Sequence, residues 1–132
     1  MYYIEKEFWI CCSHRLNNDN LSIEENKKIF GKCNNFPGHG HNYKVILKLE
    51  VNDIEKNTGM IMNFYDIKEI FKKYIDDIFD HQHLNNLKHF EGIIPSAENM
   101  CKVFFDILKP HLKHLSEIKI YEIEGACAGY VG

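Results

Sequence analysis

Between Asn42 and Val51 apolar and polar residues alternate. Tyr43, Val45, Leu47, Leu49 and Val51 fall on one face of an extended chain and Lys44, Lys48 and Glu50 on the other, the period-two signature of a half-buried strand. An earlier segment, about Tyr2 to Cys12, is dense in aromatic and β-branched residues and predicts a first strand. More than twenty residues join the two, with a short helix predicted from Ser22 to Phe30, opened by the capping box Ser22-x-x-Glu25 and stopped at Gly31. A connection of that length in so small a chain is usually functional. After a turn at Asn57-Thr58-Gly59 the period changes. Phe64, Ile67, Ile70, Phe71, Tyr74, Ile75, Ile78 and Phe79 recur at three- and four-residue steps, an amphipathic helix with Asn63 as N-cap. A second long helix starts near Ser96, carries Met100, Val103, Phe104, Ile107 and Leu108 on one face, and meets Pro110. Two more strands, about Ile118 to Glu124 and Ala126 to Val131, pivot near Gly125.

The order is ββααββ, an α+β pattern in which two helices cover one face of a four-stranded antiparallel sheet. The other face and two sheet edges stay uncovered, which predicts an oligomer. The 132 residues, 45% hydrophobic and 27% charged, suit one globular domain spanning 1–132, without internal repeat or linker. A formal charge of -3 leaves no overall field to draw nucleic acid or an anionic membrane. No apolar run approaches the roughly 18 to 20 residues that span a bilayer. Five cysteines, an odd number without a Cys-x-x-Cys pair, and no signal peptide predict a reducing, cytoplasmic setting.

Eight histidines are the unusual count. In His39-Gly40-His41, extended backbone aims both imidazoles to one side, and His14 at the end of the first strand meets them if the two strands pair. Three neutral imidazoles with an open fourth position would make a catalytic-type metal site; solvated loop histidines are the alternative. Cys33 lies in a polar stretch beside Lys32, where a thiol near a cation and a metal acts as a thiolate base or nucleophile; an ordinary thiol is the alternative. Asp80-His81 closes the first long helix, either as a C-cap against the helix dipole or as a proton relay. Glu122, with Glu124 two residues on along the same face, is either solvated or a fork that accepts two N–H groups from a heterocycle edge. Glu98 near a helix N-terminus suits the dipole as well as a ligand.

Taken together and in this order, the motifs resemble the 6-pyruvoyl-tetrahydropterin synthase family nearly end to end. The resemblance is carried by Ser13-His14-Arg15-Leu16, by Phe30-Gly31-Lys32-Cys33-Asn34-Asn35 followed by Gly38-His39-Gly40-His41-Asn42-Tyr43-Lys44-Val45, and by Thr58-Gly59-Met60-Ile61-Met62-Asn63. Asp80-His81 with Leu84-Asn85, Ser96-Ala97-Glu98-Asn99, and Tyr121-Glu122 with Tyr130 complete it. It implies the tunnelling fold, in which ββααββ subunits form trimeric barrels that stack as a homo-hexamer with sites at subunit interfaces. It further implies zinc (Zn2+) held by His14, His39 and His41, Cys33 as base, Asp80 and His81 working beside it, and Glu122 anchoring a pterin ring with Glu98 bordering the pocket.

The implied reaction eliminates triphosphate from the small-molecule substrate 7,8-dihydroneopterin triphosphate and leaves a 6-pyruvoyl side chain, a lyase step of tetrahydrobiopterin biosynthesis that needs no redox cofactor. Three details bear on the product. Ile10-Cys11-Cys12-Ser13-His14 puts cysteines where the family often has a small residue. Pro95-Ser96-Ala97-Glu98-Asn99 looks like the queuosine-pathway relatives, which make 6-carboxy-tetrahydropterin. The Cys33 to His39 spacing resembles the pyruvoyl-forming enzymes. A non-catalytic zinc- or pterin-binding protein of the same fold is the alternative of another class.

Overall fold

The computed structural model describes all 132 residues. The chain runs β1 (Tyr2–His14), α1 (Ile23–Phe30), β2 (His39–Val51), α2 (Phe64–Phe71), α3 (Asp77–Phe79), α4 (Ala97–Leu108), β3 (Leu115–Ile123) and β4 (Ala126–Val131). The strands form one antiparallel sheet in the order β1-β2-β3-β4. The α+β architecture with helices on one face is the one the hydrophobic periods predict.

Local chemistry accounts for the boundaries. Ser22 and Glu25 make both bonds of a capping box at α1, Asn63 caps α2 through Tyr65 N–H, and Ser96 caps α4 through Asn99 N–H, each satisfying amides that a helix start leaves without partners. α2 and α3 are joined by a π-helical turn at Lys72–Asp76, so the predicted helix from Phe64 to Phe79 is one continuous rod with a single wide turn. It buries Ile67, Phe71, Ile75 and Phe79. These meet the alternate residues of the sheet: Phe71 stacks on Phe8 with ring centroids 4.0 Å apart, and Phe79 packs on Phe104 of α4 at 4.8 Å. Tyr43, Val45, Leu47, Leu49, Ile118 and Ile120 complete the core.

The opposite sheet face carries no helix and leaves Tyr3, Trp9 and Ile123 exposed. The outer edge of β1 is covered only at its end. Cys11 N–H donates to the Asp80 carboxylate, Ser13 N–H to the Gln82 carbonyl, and Arg15 N–H to the Asn85 amide oxygen. By the same alternation, the peptide groups of Tyr3, Glu5, Glu7 and Trp9 face an open edge. No helix is long and apolar enough to cross a membrane.

Candidate active site

The register of β1 against β2 sets His14 opposite His39 and Cys12 opposite His41. All three imidazoles therefore project to the helix-covered side of the sheet, at the end where the core stops. Two glycines allow the approach. Gly38 has φ 133°, and a Cβ there would sit 2.5 Å from the His14 carbonyl oxygen; a Cβ on Gly40 would sit 3.3 Å from that of Cys12, so backbone comes close where side chains would not fit. One ring nitrogen from each of His14, His39 and His41 lies within 4.8 Å of the other two, with the Nε2 atoms of His14 and His39 3.2 Å apart.

The protonation pattern suits a cation. His14 is fully buried, and its Nδ1 lies 2.6 Å from the Pro95 carbonyl oxygen. A carbonyl only accepts, so Nδ1 carries the proton and Nε2 presents a lone pair. Burial lowers the pKa of His14, against smaller raising effects of the Pro95 hydrogen bond and the Glu122 charge; burial likewise lowers that of His41. His41 Nε2 is buried without a hydrogen-bond partner, a costly arrangement for a polar atom unless a ligand engages it. An inward lone pair on buried His14, an orphaned nitrogen on His41 and three converging ring nitrogens fit a metal ion, and His14, His39 and His41 are the residues that could hold it.

Cys33 is half-buried in a short 3-10 turn, Gly31–Asn34. The turn is tied to the end of β1, since Leu16 N–H donates to the Cys33 carbonyl, and the buried Asn34 amide donates to Leu16 O and to Asn17. Burial raises Cys12 and Cys101 to about 12, which keeps both protonated near neutrality and unsuited to act as bases.

At the end of α3 the chain turns sharply, with His81 at φ 60°, a left-handed conformation uncommon outside glycine. His81 N–H donates to the Cys11 carbonyl while the Asp80 carboxylate takes the Cys11 N–H at 2.8 Å and His81 Nδ1 at 2.6 Å. Burial would raise the Asp80 pKa, but these hydrogen bonds and the His81 charge outweigh it and hold it below the ordinary carboxylate value. Asp80 occupies the C-cap position of α3, and the His81 imidazole is engaged by Asp80 rather than by a helix carbonyl. No hydrogen bond or ion pair joins Asp80 or His81 to Cys33 or to the three histidines within one chain.

Glu122 sits in a bulge. Tyr121 pairs with Cys127 and Ile123 with Ala126, leaving Glu122 between them without a partner in β4, and such bulges re-aim a side chain. Its Oε1 lies 3.4 Å from His14 Nε2 and 3.9 Å from His41 Nε2. The expected continuation of this face to Glu124 does not hold. The bulge breaks the period-two count, and Glu124 lies in the turn, exposed, beside a hollow with Trp9, Lys44 and Tyr121. Glu98 and Glu122 border one cleft of ≈ 220 Å³ with Leu16, Ser96 and Ala128. A larger hollow of ≈ 650 Å³, between Glu50–Glu55 and Lys109–Ser116, contains none of the three clustered histidines.

Three contributors lie in recognisable motifs but carried no signal of their role. The Pro95 carbonyl that orients His14 is backbone and could belong to any residue. The Asn85 amide clamps both peptide groups of Arg15. Tyr43, read as a plain core residue, packs its ring edge-on to His41 and His14 at 5.2 and 5.9 Å. Its hydroxyl is buried without a partner, and burial raises its pKa further, keeping it a neutral phenol.

Residues 3–132 match the family model described as 6-pyruvoyl tetrahydropterin synthase. The chain belongs to this family. Among curated 6-pyruvoyl tetrahydrobiopterin synthases it is 43% identical to that of Dictyostelium discoideum over 123 residues, covering 91% of this chain and 88% of the relative. It is 36% identical to that of Homo sapiens, covering 98% and 90%. A 6-carboxy-5,6,7,8-tetrahydropterin synthase of Aquifex aeolicus matches at 28% identity, with coverage of 91% and 88%. The solved 6-pyruvoyl tetrahydropterin synthase of Caenorhabditis elegans superposes with a TM-score of 0.93 at 30% identity, over 99% of this chain and 95% of that one. The sheet and helices described above are thus those of this family's fold.

Proposed function

We propose that this family member is a zinc-dependent 6-pyruvoyl-tetrahydropterin synthase, a carbon–oxygen lyase that eliminates triphosphate from 7,8-dihydroneopterin triphosphate and rearranges the side chain to two ketones. The observation that carries the reading is the convergence of His14, His39 and His41 beside a cleft bordered by two carboxylates, with Glu122 common to both. Bound at the imidazoles, zinc supplies Lewis acidity to the side-chain oxygens.

The other roles fall to the chain's own groups. Cys33 as thiolate removes a proton from carbon, and His81, with Nδ1 held by Asp80, keeps Nε2 free to accept and return protons. Glu122 accepts N–H groups of the ring edge and Glu98 borders the ring, so that the side chain reaches metal and base together; positioning of this kind contributes several kcal/mol, on the order of 7–11 at most. Because Asp80 and His81 have no link to Cys33 within one chain, and because half of the β1 edge and the face bearing Trp9 lack cover, the reading includes a cytoplasmic hexamer with sites shared between subunits.

The pyruvoyl product is favoured by the Cys33 to His39 spacing and by the greater identity to relatives named as pyruvoyl synthases, 43% and 36% against 28%. Incubation with 7,8-dihydroneopterin triphosphate, followed by mass spectrometry, is the test. Stoichiometric triphosphate and 6-pyruvoyl-tetrahydropterin are expected. Acetaldehyde with a carboxy-pterin would instead assign the other branch of the family.

A further inference from the structure

The carboxylate of Glu122 stands among imidazole nitrogens. His14 Nδ1–H donates to the Pro95 carbonyl, so the Nε2 that faces Glu122 Oε1 at 3.4 Å is an acceptor, as is the carboxylate. His39 Nε2 adds a ring nitrogen 3.2 Å from the same atom, and His41 Nε2 lies 3.9 Å from Oε1. The His14 lone pair and the Glu122 carboxylate, both acceptors, repel at this distance unless a cation lies beside them. A tetrahedral zinc with bonds of about 2.0–2.2 Å sets its donors about 3.3–3.5 Å apart. The Glu122–His14 separation already has that value, the His14–His39 separation falls about 0.1 Å short of it, and the Glu122–His41 separation needs a contraction of about half an ångström.

Glu122 is held there by backbone. The bulge opposite Ala126 and Cys127 turns one residue out of the ladder, and Glu124 does not share its position. The same carboxylate borders the ≈ 220 Å³ cleft, so it has two competing partners, a metal on one side and a ligand ring on the other.

We propose that Glu122 is the fourth metal ligand of the ligand-free protein and leaves the metal when a pterin ring enters the cleft, so that ring binding opens the coordination position the chemistry needs. This rests on the metal reading above and adds a second role to Glu122. The arrangement keeps the metal closed, with four protein donors, until a ring that matches the cleft is present.

The test uses the full-length protein loaded with Co(II) or Zn(II), the charge-removing isostere Glu122→Gln, and Glu124→Gln as a control that removes the same charge two residues away. Zinc affinity is measured by chelator competition and the ligand field by visible Co(II) absorption, without turnover. Glu122→Gln is expected to weaken zinc at least about tenfold, since losing even an outer partner of a ligand costs about 10–100-fold, and to change the Co(II) spectrum. Glu124→Gln is expected to match the wild type. Pterin itself, which has the ring and no side chain, is expected to shift the wild-type Co(II) spectrum and to leave that of Glu122→Gln unchanged.

Metal bound by Glu122→Gln with wild-type affinity and spectrum overturns this inference alone. A wild-type spectrum indifferent to bound pterin overturns the exchange, and that arm requires no variant. A wild-type chain that holds neither metal overturns the metal centre and this inference with it.

Discussion

The Nδ1 of His14 lies 2.6 Å from the carbonyl oxygen of Pro95, a contact that spans 81 positions of sequence and decides which nitrogen of a fully buried imidazole faces the site. With Nδ1 donating, Nε2 of His14 converges with a nitrogen of His39 and one of His41. Replacing His14, His39 or His41 with Ala is expected to remove stoichiometric metal, since two imidazoles seldom hold zinc against water and buffer. Elemental analysis of the purified variants decides it. Full zinc in His39→Ala would refute the ligand set.

Folding holds His14 neutral in a buried site, while the unfolded chain takes up a proton below about pH 6.5. The metal-free protein should therefore lose stability as pH falls through that value, by about 1.4 kcal/mol for each unit by which the pKa is lowered. Urea midpoints measured from pH 8 to pH 5 would show the decline. A flat profile would mean that His14 is accessible to protons in the folded state.

Cys33→Ala is expected to retain fold and metal and to lower kcat by about 10²–10⁴-fold, the usual contribution of a general base. Cys101→Ala, in the core of α4, should cost about 1 kcal/mol of stability and leave turnover near the wild-type value. Equal, near-native turnover in both would exclude Cys33 as the base.

Asp80→Asn keeps the shape of the turn but weakens the hold on His81 Nδ1. Turnover should fall with the acid limb of its pH profile displaced, while metal content is unchanged. Because Asp80 is held below its ordinary pKa by the Cys11 N–H and His81, the stability advantage of wild type over Asp80→Asn should be present above about pH 4 and disappear as pH drops further. Paired denaturation curves between pH 6 and pH 3 measure this.

Light scattering should report about six times the 15.6 kDa chain mass. Trp9→Lys, on the helix-free face, should shift the protein toward smaller species by burying an unpaired charge at the expected interface. An active monomer would refute the shared-site reading.

The fold was legible because each element's period and stop signals agree: alternation in β2, the three- and four-residue steps of α2 through α3, the caps Ser22, Asn63 and Ser96, and the pivot at Gly125. Local propensity and tertiary packing point the same way there. The π turn at Lys72–Asp76 left no mark, since its residues keep the apolar spacing. Of the site, the sequence by itself determined which side chains exist and, through strand parity, that His39 and His41 share a face. Only the tertiary structure decided that His14 meets them, because strand register is a long-range property. It also separated Glu122 from Glu124. Parity counts residues, and a bulge inserts one without changing their composition; the backbone then turns one carboxylate to the histidines and leaves the other in solvent.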